Sequence, residues 1–550
     1  MQLGKTASGT MFNLPLKARK LTHTHVVGGT RLGKSKLIEN MIIEDISDHR
    51  GLCLLDWNGP LYYDLLKWIT RFKPARRIVL INPSVGDYVV GFNPFRPLPG
   101  LDTTVQVNRR ISAVLKTWGD SPNEMPTFSR MAALIFTFAV QMNETLPVAE
   151  LLLRRENKKL REWLIGQLPE NSVARSQWLQ LNNYNERDWN TNTLSTQNRL
   201  TRFLGSNSVR RFLGLKSGTL DIFKEMQQGS IILVNLGASD SLDKESAAVF
   251  GSLFLNELFE SAMRFANNPS KQNPDVFFLY LDEFQEYITK DMTGMLDQVL
   301  KSGLSLVMAH QHLGQLGEGH WLRRSLTANA RNKIVFGGLD FESAKELALD
   351  MFLKNINERQ VVENYYTLMN HMTKVREKVA GYGSGKGMNQ GAFEIPDVYA
   401  GTSAGESESN STWESDVPFH DVRQERVISH RDSWSYEEKV SRYAEALIGQ
   451  ARRCAIARVI NTTDKGLGLA EHPEAIRTLL AEDWDTGPDN IRKHELRLYQ
   501  ERGAVSADEA DRQIDQDIVR FLGKAGAKSG EVNTERPKVY VRRKKTDKSD

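Results

Sequence analysis

The sequence predicts an α/β fold, in which a doubly wound and mostly parallel sheet is interrupted by an inserted all-α domain. Short apolar runs recur along the 550 residues, and they are continuous rather than alternating, as in strands that are buried on both faces. Amphipathic helical patterns such as "SAAVFGSLFLNELFESAM" separate most of these runs. Because strands and helices alternate, the helices are expected on both faces of a parallel sheet.

Eight apolar runs are the predicted strands of this sheet. In chain order they are "THVVGG", "GLCLLD", "RRIVLINP", "SIILVNL", "VFFLYLDE", "LSLVMAHQ", "NKIVFGG" and "CAIARVI". From about residue 97 to residue 222 the sequence carries helical patterns instead, for example "FSRMAALIFTFAV". This interval is therefore predicted to be an all-α domain inserted into the sheet domain.

The same patterns divide the chain into six parts. The stretch "GTSAGESESNSTWESD" is polar and low in complexity, which is typical of a flexible linker or loop. In order, the parts are the first part of the sheet domain (1–96), the inserted domain (97–222), the second part of the sheet domain (223–400), the linker (401–432), a closing helix and strand (433–472), and a helical, basic and partly disordered tail (473–550).

Composition narrows the class of protein. Apolar residues make up 40% of the chain and charged residues 25%, as in ordinary soluble globular proteins, and a net charge of +4 neither requires nor excludes a nucleic-acid partner. Both cysteines, Cys53 and Cys454, lie in apolar runs, which favours buried and reduced thiols. No segment has the roughly 18 apolar residues of a membrane span, and the start lacks a signal peptide, so a cytoplasmic protein is expected.

A phosphate-binding loop is predicted in "HVVGGTRLGKSKLIENM". Gly28 is followed by four residues and then by Gly33-Lys34-Ser35, which is the P-loop spacing, between an apolar strand and a helix. Lys34 is expected to reach the β- and γ-phosphates of ATP, and Ser35 to bind Mg²⁺. The alternative is a glycine turn that matches by chance. The predicted nucleotide-binding residues are Gly28, Gly29, Thr30, Arg31, Leu32, Gly33, Lys34 and Ser35.

Three polar side chains at strand ends are predicted to complete the site. The strand "VFFLYLDE" ends in Asp282, which would support Mg²⁺, and Glu283, which would orient and deprotonate the attacking water. The strand "LSLVMAHQ" ends in Gln311, which would sense the γ-phosphate. The alternatives are an acid pair at a helix N-terminus and a capping or loop glutamine.

The motifs together resemble the FtsK/HerA superfamily of ring ATPases, and within it the coupling proteins of type IV secretion and conjugation. The resemblance is carried by "LTHTHVVGGTRLGKS", "LLDWNGPLYYDLL", "GFNPF", "LYLDEFQEY" and "GLSLVMAHQHLGQL". It covers roughly residues 1–352 and touches the region around Cys454. It implies a RecA-like P-loop fold, ATP and Mg²⁺ as cofactors, a homohexamer with nucleotide between subunits, and DNA in the pore.

The chain departs from this family pattern in two places. Coupling proteins usually carry N-terminal membrane helices, and this sequence shows none. Many of them also have an arginine at the end of the helix before the sensor strand, where this chain has Leu300 followed by Lys301. Lys301 is therefore the candidate for the cation that acts on a neighbouring subunit, with Arg323 and Arg324 as the next candidates.

The expected function is a DNA translocase or coupling ATPase that moves DNA through a hexameric ring. One alternative is an ATP-gated ring scaffold that acts on protein cargo or an effector, and another is a DNA-end-processing or defence ATPase similar to HerA. Basic runs such as "RRENKKLRE" and "RPKVYVRRKK" could contact DNA, although solvated helix faces look the same in sequence. The resemblance leaves a relaxase, a secretion channel or a nuclease as possible partners.

Overall fold

A computed structural model describes most of the chain. The described residues are 1–83, 85–118, 125–216, 220–239, 241–266, 276–289, 292, 294–316, 320–357, 369–380, 387–395, 398–407, 414–425, 436–463, 466–470, 473–479, 484 and 486–524.

The centre of the fold is a set of seven parallel strands within an 11-stranded sheet. Each is short and fully buried, which explains why the sequence shows continuous apolar runs. Their spatial order is β10-β3-β9-β8-β4-β7-β5. The ranges are β3 (Thr24–Val27), β4 (Leu52–Asp56), β5 (Ile78–Ile81), β7 (Ile231–Asn235), β8 (Phe277–Leu281), β9 (Leu304–His310) and β10 (Asn332–Phe336).

Four antiparallel strands extend the sheet beyond β10. Only one of them, the strand of Cys454, was predicted, and the hairpin at the N-terminus and the strand after residue 473 were not. These strands pair over long sequence distances and are short and partly polar, so local periodicity does not reveal them. Outward from β10 they are β15 (Cys454–Arg458), β18 (Glu474–Thr478), β1 (Gln2–Thr6) and β2 (Met11–Asn13).

Helices cover both faces of the sheet, and the predicted doubly wound α/β fold is confirmed. Both cysteines are buried, in β4 and β15. Of the helices in the described ranges, none is both long and apolar enough to cross a membrane. The helices of the sheet domain are α1 (Leu16–Leu21), α2 (Lys34–Ser47), α3 (Pro60–Phe72), α11 (Ile222–Gln227), α12 (Lys244–Ala266), α13 (Leu296–Lys301), α14 (His320–Asn329), α15 (Phe341–Asn357) and α16 (Tyr436–Ile448).

The described residues between 97 and 222 form helices and turns without a strand, as the sequence indicates for the inserted part. This all-α part docks on α12 through the buried ion pair Arg110–Glu260 at 2.7 Å, and Arg96, just before it in the chain, pairs with Glu257 of α12 at 2.8 Å. Burial raises the pKa of Glu257 to about 7, against the opposing effect of Arg96 and Arg110. The helices are α4 (Thr103–Trp118), α5 (Pro126–Gln141), α6 (Leu146–Glu150), α7 (Lys158–Gln167), α8 (Val173–Asn182), α9 (Glu186–Leu204) and α10 (Asn207–Gly214).

The stretch expected to be a flexible linker at 401–432 instead contains strand residues. Val398–Ser407 pairs antiparallel with Gly387–Ile395, and Glu414–Glu425 pairs with Met369–Ala380. Backbone pairing satisfies the main-chain polar groups of these strands, so polar composition does not exclude them. In chain order they are β11 (Met369–Ala380), β12 (Gly387–Ile395), β13 (Val398–Ser407) and β14 (Glu414–Glu425). Two further antiparallel pairs are β6 (Tyr88–Val89) with β19 (Val505–Ser506), and β16 (Ile460–Thr463) with β17 (Gly466–Ala470).

Much of the predicted tail is part of the folded protein. Besides β18, it supplies two helices, α17 (Pro488–Glu501) and α18 (Ala507–Lys524). In α17, Glu495 accepts a hydrogen bond from the Tyr62 hydroxyl at 2.9 Å, which ties the helix to α3. In α18, Asp511 pairs with Arg211 at 2.8 Å and Phe521 packs against the inserted domain. The basic run after residue 536 lies outside the described residues.

The docking of α18 can be measured by truncating one side chain. Phe521 is 1% exposed, and its ring lies 5.3 Å from Phe138 and 5.8 Å from Trp163 between ring centroids. Phe521→Ala should therefore lower the free energy of unfolding by about 3 kcal/mol, measured by urea denaturation. Val519→Ala is the matched control, because Val519 is 55% exposed and its truncation should change stability by less than about 0.5 kcal/mol. Equal stabilities of the two variants would contradict the docking.

Candidate active site

The loop between β3 and α2 has the backbone of a phosphate cradle. Gly28 has φ 151° and Gly33 has φ 120°, conformations that L side chains rarely adopt. A Cβ on Gly28 would also lie 2.5 Å from the Cβ of Phe336, because the end of β10 approaches the loop closely. The loop is held there by the Gly29 N–H, which donates to the Gly337 carbonyl at 2.8 Å. Glycine is thus required at position 28 by both torsion and space.

Lys34 begins α2 and turns its side chain back into the loop. Its Nζ donates to the carbonyl oxygens of Gly28 at 2.5 Å and Gly29 at 3.0 Å. Burial lowers the pKa of Lys34, and the nearby carboxylates of Glu283 and Asp282 act in the opposite direction. The N-terminus of the 14-residue helix adds its positive dipole end to the same place. The loop therefore places a cation beside the positive end of a helix dipole, as an anionic ligand requires.

Asp282 and Glu283 leave the end of β8 as two buried carboxylates. Burial is the main reason that the pKa of Asp282 rises to about 7, and the charges of Asp56 and Glu283 add to it. The side-chain amide of Asn58 donates to Asp282 only at 3.5 Å, so this carboxylate is weakly satisfied within the chain. Glu283 has φ 48°, which is unusual for a residue with a side chain and is typical of functional sites.

Gln311 lies beside Glu283, as its place at a strand end predicts. Its Nε2 donates to the Glu283 Oε1 at 3.0 Å, and Gln285 donates to the other carboxylate oxygen at 2.9 Å. The sheet order explains the contact, because β9 lies between β3 and β8. The predicted loop lysine, acid pair and glutamine thus meet at one edge of the sheet.

Asp56 has a structural role in the pattern "DWNGPLYYDLL". Its carboxylate accepts from the backbone N–H groups of Asn58 at 3.1 Å and Tyr62 at 2.8 Å. Gly59 caps the following helix with φ 97°. The acid therefore shapes the turn that enters α3, although its charge also acts on Asp282.

The candidate cations lie in different places. Lys301 is exposed at the end of α13, before β9 begins, so it stands at the opposite end of that strand from Gln311. Seven strand residues span about 23 Å, which puts Lys301 far from the P-loop of its own chain. The Arg323 guanidinium donates to the Leu313 carbonyl at 3.1 Å and to the Glu346 carboxylate at 3.3 Å, whereas Arg324 is exposed.

Two contacts of the site escaped the sequence analysis. Arg453 donates its backbone N–H to the Leu32 carbonyl at 2.8 Å and so fixes the P-loop against the antiparallel part of the sheet. His25 and His310 meet across β3 and β9 with their Nε2 atoms 2.6 Å apart. Neither contact is predictable from the sequence, because a hydrophobic pattern alone does not reveal which strands are neighbours.

Most arginines in the basic runs of the inserted domain form hydrogen bonds or ion pairs within the chain. Arg161 is buried, donates to three backbone carbonyls and stacks over the Trp189 ring, and Trp178 and Trp189 are core residues. The remaining paired arginines are Arg154 with Glu150, Arg155 with Glu186, Arg202 with Glu245, Arg210 with Asp515 and Arg211 with Asp511. Lys158 and Lys159 are exposed. These runs thus offer fewer free cations than their sequence implies.

Solved structures share this fold, although no family model and no curated protein sequence matches the chain. The bacterial conjugative coupling protein TrwBdeltaN70, in its unbound monoclinic form, is 12% identical with a TM-score of 0.50, over 89% of this chain and 91% of that one. The plasmid coupling protein TrwB in complex with the non-hydrolysable ATP analogue ADPNP is 13% identical with a TM-score of 0.51, over 89% and 92%. At such identities the likeness establishes the fold.

The electrostatics of Asp282 predict a pH-dependent stability. With a folded-state pKa of about 7 against an ordinary value of 3.8, the folded protein binds this proton more tightly than the unfolded chain. Stability should therefore be full at low pH, fall as the pH rises between about 4 and 7, and level off above that. Relative to Asp282→Asn, the wild type should lose about 1.4 kcal/mol per pH unit in this window.

Urea denaturation from pH 5 to 8, without nucleotide or Mg²⁺, measures this difference. Asp515→Asn is the control, since it makes the same chemical change at a half-exposed carboxylate on α18 and should not reproduce the pH-dependent difference of Asp282→Asn. A constant difference for Asp282→Asn as well would show that its carboxyl titrates normally.

Proposed function

We propose that the chain is a P-loop ATPase of the FtsK/HerA superfamily that moves DNA through a homohexameric ring, as a conjugative coupling protein does. The observation that carries this proposal is the meeting of Lys34, Asp282, Glu283 and Gln311 at one edge of the parallel sheet. Each of these side chains supplies a different element of phosphoryl transfer to water.

The residues divide the chemistry between binding and water activation. Lys34 and the loop Gly28–Ser35 would hold the phosphates, since the lysine lies in the loop beside the positive N-terminal end of α2. Glu283 would orient the attacking water and take its proton. Gln311, which already donates to Glu283, would exchange that partner for the γ-phosphate and so report its presence.

Mg²⁺ fits the residues that face the phosphates. Ser35 is exposed in the first turn of α2, and the buried Asp282 is weakly satisfied within the chain, so both oxygen groups suit a hard cation. Among the described residues no group of three or more His, Cys, Asp and Glu is placed to hold a metal ion by itself. Mg²⁺ in P-loop sites usually binds few carboxylates and takes oxygens from the phosphates, and it would neutralise phosphate charge here.

The proposal of DNA as cargo is supported by the fold and by the sequence motifs. The protein TrwB, whose fold this chain shares, is described as a conjugative coupling protein. Most arginines in the basic runs of the inserted domain are paired, whereas Lys158 and Lys159 are exposed, so the DNA-contacting surface would include residues outside the inserted domain. The ring scaffold that acts on protein cargo remains the competing function.

ATP turnover with and without DNA tests the proposed function. The wild type should hydrolyse ATP faster with DNA, and this stimulation should fall steeply with salt because phosphate contacts release counterions. Lys34→Ala should lose nucleotide binding, because the phosphate charge loses its partner. Glu283→Gln should bind ATP but hydrolyse it at least about 100-fold more slowly.

Matched controls separate these roles from damage to the fold. Lys36→Ala removes an exposed lysine two residues from Lys34, and Glu286→Gln removes a carboxylate three residues from Glu283, so both should keep turnover. Normal hydrolysis by Glu283→Gln would remove Glu283 from the role of base. Turnover that no nucleic acid changes would favour the ring scaffold.

The position of Lys301 predicts that it acts on a neighbouring subunit. Because it lies about 20 Å or more from its own P-loop, Lys301→Ala should lose turnover only through a defect between subunits. Mixing inactive Lys34→Ala with inactive Lys301→Ala should restore part of the activity, since some interfaces then hold both intact groups. The control Lys345→Ala, an exposed lysine on α15, should be active alone. Full activity of Lys301→Ala would redirect attention to Arg323 and Arg324.

A further inference from the structure

His310 is the last residue of β9 and stands between the P-loop and the acidic strand. Its side chain is fully buried, and its ring stacks on that of His25 with centroids 4.8 Å apart and an interplanar angle of 11°. The two Nε2 atoms are 2.6 Å apart, which is hydrogen-bond distance. His25 lies in β3, three residues before Gly28, so the pair joins the P-loop strand to the sensor strand.

The partners of the two rings determine which nitrogen carries each proton. His310 Nδ1 lies 3.1 Å from the carbonyl oxygen of His312, which can only accept, so Nδ1 bears the proton. Burial keeps both rings neutral by lowering their pKa values, and that of His310 falls to about 3. A neutral His310 then has Nε2 as an acceptor, and His25 must donate through its own Nε2–H. The pair is therefore a directed hydrogen bond from β3 to β9.

The backbone of His310 also reaches the P-loop. Its carbonyl oxygen accepts the N–H of Gly28 at 3.4 Å, at the first residue of the loop. A change in the loop on nucleotide binding would thus be felt at His310 through both the backbone and the His25 side chain.

The His310 ring also contacts the short helical turn Phe284–Glu286 that follows β8. It lies edge-to-face with the Phe284 ring, with centroids 5.4 Å apart and planes at 81°. Phe284 follows Glu283 directly, and Gln311 follows His310 directly. The His310 ring therefore lies beside both partners of the Glu283–Gln311 hydrogen bond. It forms no hydrogen bond with either of them.

We propose that His310, held by His25, is a positioning residue that couples the state of the P-loop to the placement of Glu283 and Gln311. This inference rests on the proposed ATPase function of the same site. His310 itself contacts no reacting atom. It fixes the end of β9 and, through its contact with Phe284, the segment that carries Glu283. The water-activating carboxylate is therefore placed correctly only when the P-loop is placed correctly.

His23 provides a matched control for this role. It is another buried histidine on the same chain segment, and its Nε2 donates to the Leu296 carbonyl at 3.0 Å while its Nδ1 accepts the Leu306 N–H at 3.1 Å. It lies at the amino end of β3, away from Gly28. Replacing it should cost stability much as replacing His310 does, without disturbing the placement of Glu283.

Steady-state turnover and nucleotide binding should separate the two histidines. His310→Phe should bind a fluorescent ATP analogue within about threefold of the wild type, while kcat falls about 10- to 100-fold, as misplacement of a reacting group predicts. His25→Phe should show the same loss, and the double variant no more than either single variant. His310→Gln, whose amide oxygen can accept from His25, should recover part of kcat. His23→Phe should keep kcat within about threefold.

Several results would overturn the proposal. They are wild-type kcat in His310→Phe, an equal loss in His23→Phe, a kcat in His310→Gln as low as in His310→Phe, or additive losses in the double variant. If the wild type hydrolyses no ATP, the proposed function fails, and the hydrogen bond itself is tested without turnover. In solid-state NMR spectra of ¹⁵N-histidine-labelled protein at pH 7, His310 should be the Nδ1–H tautomer and His25 the Nε2–H tautomer, and charged or reversed rings would exclude the directed pair.

Discussion

The parallel register of β3, β9 and β8 is the constraint on which the rest of the site depends. Val27 pairs with His310 and Leu281 pairs with Met308, so the three strands end in a fixed stagger. This stagger brings the residues just after Leu281 level with the end of β9, where Gln311 meets Glu283. A shift of one residue in any ladder would turn these side chains to the other face of the sheet and separate them.

At the edge of the sheet where these strands end, the carboxylates outnumber the lysine that lies near them. Three buried carboxylates, those of Asp56, Asp282 and Glu283, lie near one lysine, and burial raises the pKa of both Asp56 and Asp282. Asp56 accepts the backbone N–H groups of Asn58 and Tyr62, so its charge serves the turn into α3. Asp282 has no such set of donors, which suits a role beside a bound cation. Asp56, which shapes the turn into α3, thereby also raises the pKa of Asp282, the acid that we propose supports Mg²⁺.

The sequence predicted what short-range patterns determine. Buried parallel strands produce continuous apolar runs, and the glycines of the P-loop are required by local torsions, so both were identified. Strand pairing between segments that are far apart in the sequence was not identified. The strand Glu474–Thr478 joins β1 to β15, and its five residues carry too little periodicity to distinguish them from a tail. The meeting of His25 with His310 likewise needs the sheet order.

Charge patterns were the least informative part of the sequence. A run such as "RRENKKLRE" looks like a nucleic-acid contact, yet Arg161 within it is buried and holds three carbonyl groups of its own domain. The difference between a solvated, a paired and a buried arginine depends on partners that lie far away in the chain, as Arg211 and Asp511 show. Counting cations therefore predicts nucleic-acid binding less well than finding the cations that have no partner.

The positions of the cations explain why we propose that contact between subunits contributes to catalysis as well as to the architecture. Charge on a transferring phosphoryl group needs more than one positive side chain, and the P-loop itself supplies the buried Lys34 and the exposed Arg31. Arg323 is occupied by Leu313 and Glu346, and the Arg453 guanidinium donates to the Thr478 carbonyl at 3.0 Å. The exposed Lys301 stands at the far end of β9. Lys301 faces away from its own P-loop, so it can contribute to catalysis only at the site of another subunit, and contact between subunits is then part of the mechanism that we propose.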